Sequence, residues 1–502
     1  MQILSAAQLK AADALTCHSQ QISSLELMER AAKAAAETIE PLIKPPYIRP
    51  LVICCGPGNN GGDGLAVARL LYSPAYGPHI AVWRLPAERY SADNEANRFR
   101  LPDGIAVIEL TAELPPLPPD AIVVDALFGT GLTRPLDGLA AALVRQLNAS
   151  GAEIISLDVP SGLPTDAAPA PDAAIVRATQ TLTFGALKLP FLLPGLAEYV
   201  GEWHLLDINL DLSQTESAMR LTEAADLAPL LAPRHRFGHK GTYGHALLLA
   251  GSRGKLGAAV LAARACLRAG VGLLTVQVPA VGYGVLQTSV PEAMALTDPM
   301  ADYLSALPDD ADLGHYQALG IGPGLGQHAD TALLLRELLD EARRRDLPTV
   351  LDADALNILA AHPAWRHHLP ARTVLTPHPK EFARLAGAAT DDFARLEKLK
   401  AYAADTGAVV LLKGAYSVVA TPAGELYFNS TGNPGMATGG TGDVLTGVIL
   451  SLLAQGLNPL DAARFGAFIH GRAGDLAAAK HGERGLIAGD VAEYVGRAFL
   501  KS

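Results

Sequence analysis

Cysteine is scarce in this sequence and nowhere spaced to hold a metal. The four cysteines of the 502-residue chain are Cys17, Cys54, Cys55 and Cys266. Adjacent Cys54 and Cys55 lie in an apolar stretch and read as core residues rather than a redox pair, which suits a reducing cytoplasm. Positive charge is also short: 40 Lys and Arg against 51 Asp and Glu give a formal net charge of −11, spread along the chain. That balance argues against nucleic acid as the main partner, while leaving room for a local basic groove. It leaves room for phosphorylated substrates, because a few lysines and backbone amides bind them locally. No apolar run reaches about 18 residues without Gly, Pro or charge, so no membrane span is expected. The opening MQILSAAQLKAADAL lacks the basic start, apolar centre and small-residue cleavage site of a signal peptide. Ser23-x-x-Glu26 after it is a capping box, the mark of a helix start. Internal repeats, low-complexity tracts and long heptad patterns are missing too.

What is present is an alternation of strand and helix, in two rounds. About half of the residues are apolar, and the length exceeds one ordinary core. In the first round, Leu51–Cys55 precedes a Gly-rich turn and a predicted helix over 64–71, and strands follow at 79–83, 121–124, 154–157 and 181–184. The second round has strands at 245–250, 272–278, 317–321, 349–351, 373–375, 409–412 and 417–420, with a helix over 257–269 and an Ala-rich helical stretch over 442–480. Such alternation predicts parallel sheets covered on both faces. Residues 208–234 lack a strong strand signal, and Pro233 with a basic cluster closes them. The expected division is therefore residues 1–212, a linker over 213–234, and residues 235–502.

In the second round, Gly435-Met-Ala-Thr-Gly439-Gly440-Thr-Gly442-Asp443 leads into Val-Leu-Thr-Gly447. Glycines let successive N–H groups converge on an anion, and a helix start adds its dipole. A carboxylate there is wrong for simple phosphate binding but right for a general base acting on a hydroxyl about to be phosphorylated. Three more segments end at strand termini, where α/β sheets meet ligands. They are VVLLKG with Lys413, a partner for a nucleotide phosphate; Thr376-Pro-His378-Pro-Lys-Glu381; and the glycine turn Gly320-Ile-Gly322-Pro-Gly324-Leu-Gly326. His235, His239 and His245 invite a zinc reading, but no nearby carboxylate or cysteine completes a site.

In the first round, Gly56-Pro-Gly58-Asn59-Asn60-Gly61-Gly62-Asp63-Gly64 follows a strand. It contains GxGxxG, yet the ribose-binding acid expected about 20 residues later is replaced by the run ending in Arg84, which disfavours an ordinary dehydrogenase. The amides and carboxylate suit a hydroxylated ligand or a hard cation. Asp125, Asp158 and Lys188 lie at further strand ends, and an Asp and a Lys facing one pocket can exchange protons.

Two family resemblances follow from these motifs. The second half, over about 225–500, resembles the ribokinase-like family and, within it, the ADP- or ATP-dependent NAD(P)H-hydrate dehydratases. It does so through HKGTYGHALLLAGS, GPGLG, LDADALN, TPHPKE, LLKG and NPGMATGGTGDVLTG. The resemblance implies that Asp443, Ala258, Gly324 and His378 line the pocket for the hydrated nicotinamide. It further implies that Lys413, Gly414, Ala415, Tyr416, Ser417 and Gly442 contact the nucleotide, and that Mg²⁺ bridges its phosphates. The first half, over about 10–210, resembles the NAD(P)H-hydrate epimerases through GPGNNGGDG, VDALFGTG and DVPSG. That resemblance implies a K⁺ site from Asn60, Asp125 and Ser161. Substrate contacts are implied at Asn59, Asn60, Gly61, Gly62 and Asp63, at Gly129, Thr130, Gly131, Leu132, Thr133, Arg134 and Pro135, and at Asp158. Asp158 is expected to move the proton, with Lys188 as charge partner. The expected architecture is α/β, an N-terminal Rossmann-like three-layer domain plus a C-terminal ribokinase-like α/β domain. The implied protein is a cytoplasmic homo-oligomer that epimerises and dehydrates NAD(P)H-hydrate with ADP or ATP. Two rival readings are a vitamin-precursor kinase and a first half that only binds ligand.

Overall fold

Leu51, Ile53 and Cys55 of β1 (Leu51–Cys55) join one buried cluster while Val52 and Cys54 join another, so a single strand feeds cores on both faces of its sheet. The adjacent cysteines therefore point apart, both fully buried, and burial pushes both thiols up. The remaining strands of this sheet are β2 (Ile80–Arg84), β3 (Ala106–Glu109), β4 (Ile122–Ala126), β5 (Glu153–Leu157), β6 (Gln180–Phe184) and β7 (Glu202–Leu206). Their order is β3-β2-β1-β4-β5-β6-β7, and all pairs are parallel. Residues of helices Ser24–Ile43 and Asn59–Leu71 pack in one core and those of helix Gly138–Ala149 in the other. This is a three-layer Rossmann-like unit, with its switch point between β1 and β4.

The computed structural model describes residues 1–43, 48–73, 79–230, 234–308 and 312–499. The chain separates into two compact units, essentially Gln2–Ser217 and the residues from Ala218 onward. The second unit carries a ten-stranded sheet built from β8 (Met219–Thr222), β9 (His245–Leu249), β10 (Leu273–Pro279), β11 (Met294–Asp298), β12 (Ala318–Ile321), β13 (Thr349–Leu351), β14 (Thr373–Leu375), β15 (Val409–Leu412), β16 (Val418–Ala420) and β17 (Leu426–Asn429). The order is β11-β10-β9-β12-β13-β14-β15-β16-β17-β8. It is not wholly parallel as the alternation suggested. β15, β16 and β17 form an antiparallel meander, because only short turns join them and a parallel crossover needs a dozen residues or more. The main apolar core of this unit gathers helices Leu256–Arg268, Thr441–Ala454, Pro459–His481 and Ala488–Ala498.

Three further expectations are corrected. The segment expected as linker carries β8, paired with β17, and the short helix Ala224–Leu227. Its Pro233 lies outside the described residues. The helical stretch expected over 442–480 is two helices, broken at Gly456, with Asn458 capping the second and Pro459 at its first position. The helix expected to begin at Gly64 begins at Asn59, so the asparagines and glycines form its first turns. A Cβ on Gly61 would lie 1.9 Å from the Gly56 carbonyl oxygen, so glycine there lets the helix start press on the β1 turn.

Candidate active sites

In the first unit, the expected residues collect at the carboxyl ends of β1, β4, β5 and β6. Asp125 is the last residue but one of β4 and is completely buried. It accepts hydrogen bonds from Ser161 N (2.8 Å), Ser161 Oγ (2.6 Å), Ser156 Oγ (2.8 Å) and Leu127 N (3.3 Å). Burial raises its proton affinity, and these donors oppose that. Asn60 is buried in the first turn of its helix, and neither its amide nitrogen nor its amide oxygen has a hydrogen-bond partner. An orphaned buried amide is costly and points to a missing ligand.

Asp158 follows β5 with φ at +69°, a conformation that Asp tolerates better than most side chains. The surrounding bonds hold it there: its N–H donates to Leu182 O (2.7 Å), and Oδ1 accepts from Lys188 Nζ (2.7 Å). Lys188 also donates to Thr183 Oγ1 (2.6 Å) and Phe184 O (3.1 Å), so its ammonium is fully used. A Cβ on Gly129 would lie 3.0 Å from Asp158 Oδ2 and 3.5 Å from Asn60 Cβ, so this glycine sits between the two side chains. Thr130 N points at Asp158 Oδ2 (3.4 Å). Gly61 and Gly62 are buried in packing, Asn59 is exposed, and Leu132 is half-buried. Gly131, Thr133, Arg134 and Pro135 are exposed.

Two further acids join this cluster. Burial, with Asp158, Asp13 and Asp93, drives Asp63 well above the carboxylate range. Asp13, on helix Ala6–Ser19 and still open to solvent, is raised to about 6 by the protein around it and then by Asp158. The motifs gave no sign of Asp13, because it lies in an ordinary helix far from any glycine turn.

In the second unit, the loops after β9, β12, β13, β14 and β15 converge. Gly324 adopts φ of +61°, and a Cβ there would lie 2.6 Å from Lys255 O and 3.1 Å from Ala258 Cβ, so the two expected pocket residues are neighbours. His378 caps helix Pro379–Ala386. Its Nδ1 accepts from Lys380 N (3.1 Å) and Glu381 N (3.3 Å), and Glu381 accepts from His378 N (2.8 Å). Burial first, then Lys413, keeps this imidazole below its usual range. Gly414 and Ser417 close the turn after β15 on each other, with Ala415 exposed and Tyr416 half-buried between them.

Helix Thr441–Ala454 starts after Gly440, at φ of +96°, and Asp443 lies in its first turn. Burial raises Asp443 to about 7, with Asp352, Asp354 and Glu381 adding to the effect and Lys413 opposing it. Lys413 Nζ donates to Asp352 Oδ1 (2.8 Å), and Thr446 Oγ1 donates to Asp352 Oδ2 (2.6 Å). A Cβ on Gly442 would lie 3.3 Å from Lys413 Nζ, which places the ammonium at the helix start. Asp352 and Thr446 had been given no role, although the strand-end rule that picked out Lys413 also covers Asp352 after β13.

Two family descriptions match the chain: YjeF-related protein N-terminus over residues 24–189, and NAD(P)H-hydrate dehydratase over residues 246–497. The bifunctional NAD(P)H-hydrate repair enzyme Nnr of Moorella thermoacetica is 39% identical, over 99% of this chain and 96% of its own length. The chain belongs to the bifunctional NAD(P)H-hydrate repair enzyme family. The Escherichia coli member is 37% identical, over 93% of this chain and 88% of its own. Among solved structures, the Bacillus subtilis ADP/ATP-dependent NAD(P)H-hydrate dehydratase, co-crystallised with ATP and Mg²⁺, is 32% identical. It covers 56% of this chain and 97% of its own, with a TM-score of 0.47. Among the described residues, no helix is long and apolar enough to cross a membrane.

Proposed function

We propose that this family member repairs hydrated nicotinamide cofactors at two separate sites, epimerising NAD(P)H-hydrate in the first unit and dehydrating the S form in the second. The observation that carries the second activity is Asp443, poised near neutrality at a glycine-rich helix start with Lys413 beside it. The N–H groups of a helix start have no intrahelical partners and hold phosphate well. Asp443 accepts the proton of the hydrate's ring hydroxyl as that oxygen takes the terminal phosphoryl group of ADP or ATP. Lys413 steadies the nucleotide phosphate, with Gly414, Ala415, Tyr416, Ser417 and Gly442 around the nucleotide. Ala258, Gly324 and His378 hold the ring. The C6–O bond then breaks as a proton leaves C5, giving the ring double bond of NAD(P)H and free phosphate. Among the described residues no group of three His, Cys, Asp or Glu side chains gathers into a metal cage, so Mg²⁺ would ride on the nucleotide phosphates and neutralise their charge.

In the first unit, Asp158 moves the proton for ring opening and reclosure at C6. Lys188 holds its carboxylate in place, and the loop from Gly129 to Pro135 with Asn59–Asp63 surrounds the substrate. The unpartnered Asn60 amide fits an oxygen ligand for K⁺, with Asp125 and Ser161 as the other ligands, and K⁺ there would supply a fixed positive charge. A cytoplasmic homo-oligomer completes the reading, checked by light scattering and cell fractionation.

The deciding test is absorbance at 340 nm with mixed NADH-hydrate epimers, Mg²⁺, K⁺ and ADP or ATP. Full recovery of NADH with phosphate release supports both activities, and the faster nucleotide identifies the donor. Recovery stopping at one epimer's share removes the first, and accumulation of a stable phosphorylated product favours a kinase.

A further inference from the structure

Asp352 is 1% exposed, and each of its oxygens is engaged: Oδ1 by Lys413 Nζ at 2.8 Å and Oδ2 by Thr446 Oγ1 at 2.6 Å. Thr446 lies one turn beyond Asp443 on the same helix and is itself fully buried. One carboxylate therefore ties the end of β15 to the helix that carries Asp443. We propose that Asp352 is a positioning residue for dehydration, which aims Lys413 at the nucleotide phosphate and anchors the Asp443 helix through Thr446. The inference rests on Asp443 being the group that accepts the hydroxyl proton. With both oxygens used inside the protein, Asp352 is not free to act on substrate; it works through its neighbours.

A readable electrostatic consequence follows. The charged groups acting on Asp443 are Asp352, Asp354 and Glu381, which favour its protonated form, and Lys413, which favours the carboxylate. His470, on helix Pro459–His481 and bonded to the Thr441 backbone, is held neutral by burial and adds no charge. The Lys413–Asp352 pair thus carries two opposed influences. Removing either charge moves the proton equilibrium of Asp443 in a direction fixed by sign.

The experiment is the pH profile of kcat/KM for dehydration in the full-length enzyme. Asp352→Asn is expected to move the acid limb down by about one pH unit, and Lys413→Met to move it up by about the same. Thr446→Val keeps the Asp352 charge, so its limb stays in place while its melting temperature falls and its KM for the nucleotide rises. A merely structural Asp352 would lower activity at every pH and leave the limb where it was. Where turnover is too slow for a profile, the carboxyl ¹³C titration of Asp443 reads the same shift, the resonance being assigned by its loss in Asp443→Asn. An unmoved limb or titration in Asp352→Asn, with Asp443→Asn inactive, overturns the positioning role alone. An Asp443→Asn enzyme that still dehydrates overturns the reading beneath it.

Discussion

The two units solve the same problem with opposite halves of the same pair. Each sheet sets a Lys–Asp ion pair beyond the carboxyl ends of its strands, the edge where α/β folds receive ligands. In the first unit the lysine is the inner member: the Lys188 side chain is 1% exposed against 17% for Asp158. In the second the acid is inner: the Asp352 side chain is 2% exposed against 20% for that of Lys413. The inner member is saturated by protein in both cases, by Thr183 and Phe184 in one and by Thr446 in the other. In the proposed function the outer member is the one that faces the ligand. A carboxylate offered outward suits moving the proton of a ring hydroxyl, and an ammonium offered outward suits a phosphate. One motif, inverted, thus equips two sheets for different chemistry.

The comparison breaks most visibly if the sites are not separate. Asp443→Asn should lower dehydration about a thousandfold and leave epimerisation at wild-type rate, and Asp158→Asn should do the reverse. Dehydration is read at 340 nm with the S epimer as substrate, and epimerisation by chromatographic separation of the two epimers starting from one of them. A single substitution that stops both reactions would end the two-site description.

Stability tests which member is inner. Deleting an outer partner strands a buried charge, at a cost of about 3–5 kcal/mol, whereas replacing the inner one leaves a charge that still reaches solvent. Asp158→Ala should therefore lower the melting transition of its unit more than Lys188→Met does. Lys413→Met should likewise cost more than Asp352→Asn. Differential scanning calorimetry on the four variants decides this, and the inversion fails if the inner substitutions prove the more damaging.

Proton linkage sharpens the second unit further. The folded protein raises Asp443 to about 7 from an ordinary 3.8, so the protonated form is favoured on folding. Stability from that source is present below about pH 4 and is lost as pH rises towards 7. Asp443→Asn carries no such penalty. It should match wild type near pH 4 and exceed it by about 2 kcal/mol at pH 8, less than the full shift implies because the side chain is part-exposed. A gap that does not widen with pH would show that Asp443 ionises freely.

Much of this was legible in the sequence where one physical cause acted alone. Central strands such as Val409–Leu412 are buried on both faces and read as unbroken apolar runs. Edge strands did not read so clearly: Ala106–Glu109 and Glu202–Leu206 are mostly or partly exposed, and β8 has only two buried residues. Asn59–Leu71 was misjudged at its start because glycine in a helix normally signals a break. Here close packing on Gly56 outweighs that propensity. Among the candidate site residues, Asp125, Asp158, Lys188, Lys413 and Asp443 are marked in the sequence by motif and strand end. Asp352 stands at a strand end, but its link to Lys413 and Thr446 depends on contacts across the fold, as does the placement of Asp13 near Asp158, and no local pattern encodes those contacts.

The smallest expected effect concerns K⁺, and its size follows from the first site's construction. Asp125 and Ser161 already satisfy each other through two hydrogen bonds, and Ser156 and Leu127 complete the acid's partners, so this frame stands without an ion. Of the three proposed K⁺ ligands, the Asn60 amide is the one left wanting. Exchanging K⁺ for Li⁺ should thus slow epimerisation about tenfold, the effect of one unmade buried interaction, and leave dehydration unchanged. Asn60→Leu removes the orphaned amide, so the variant should epimerise slowly with either ion. A K⁺ response that survives in Asn60→Leu would move the cation elsewhere. A loss of dehydration in Li⁺ would show that the second unit needs a monovalent cation as well as Lys413.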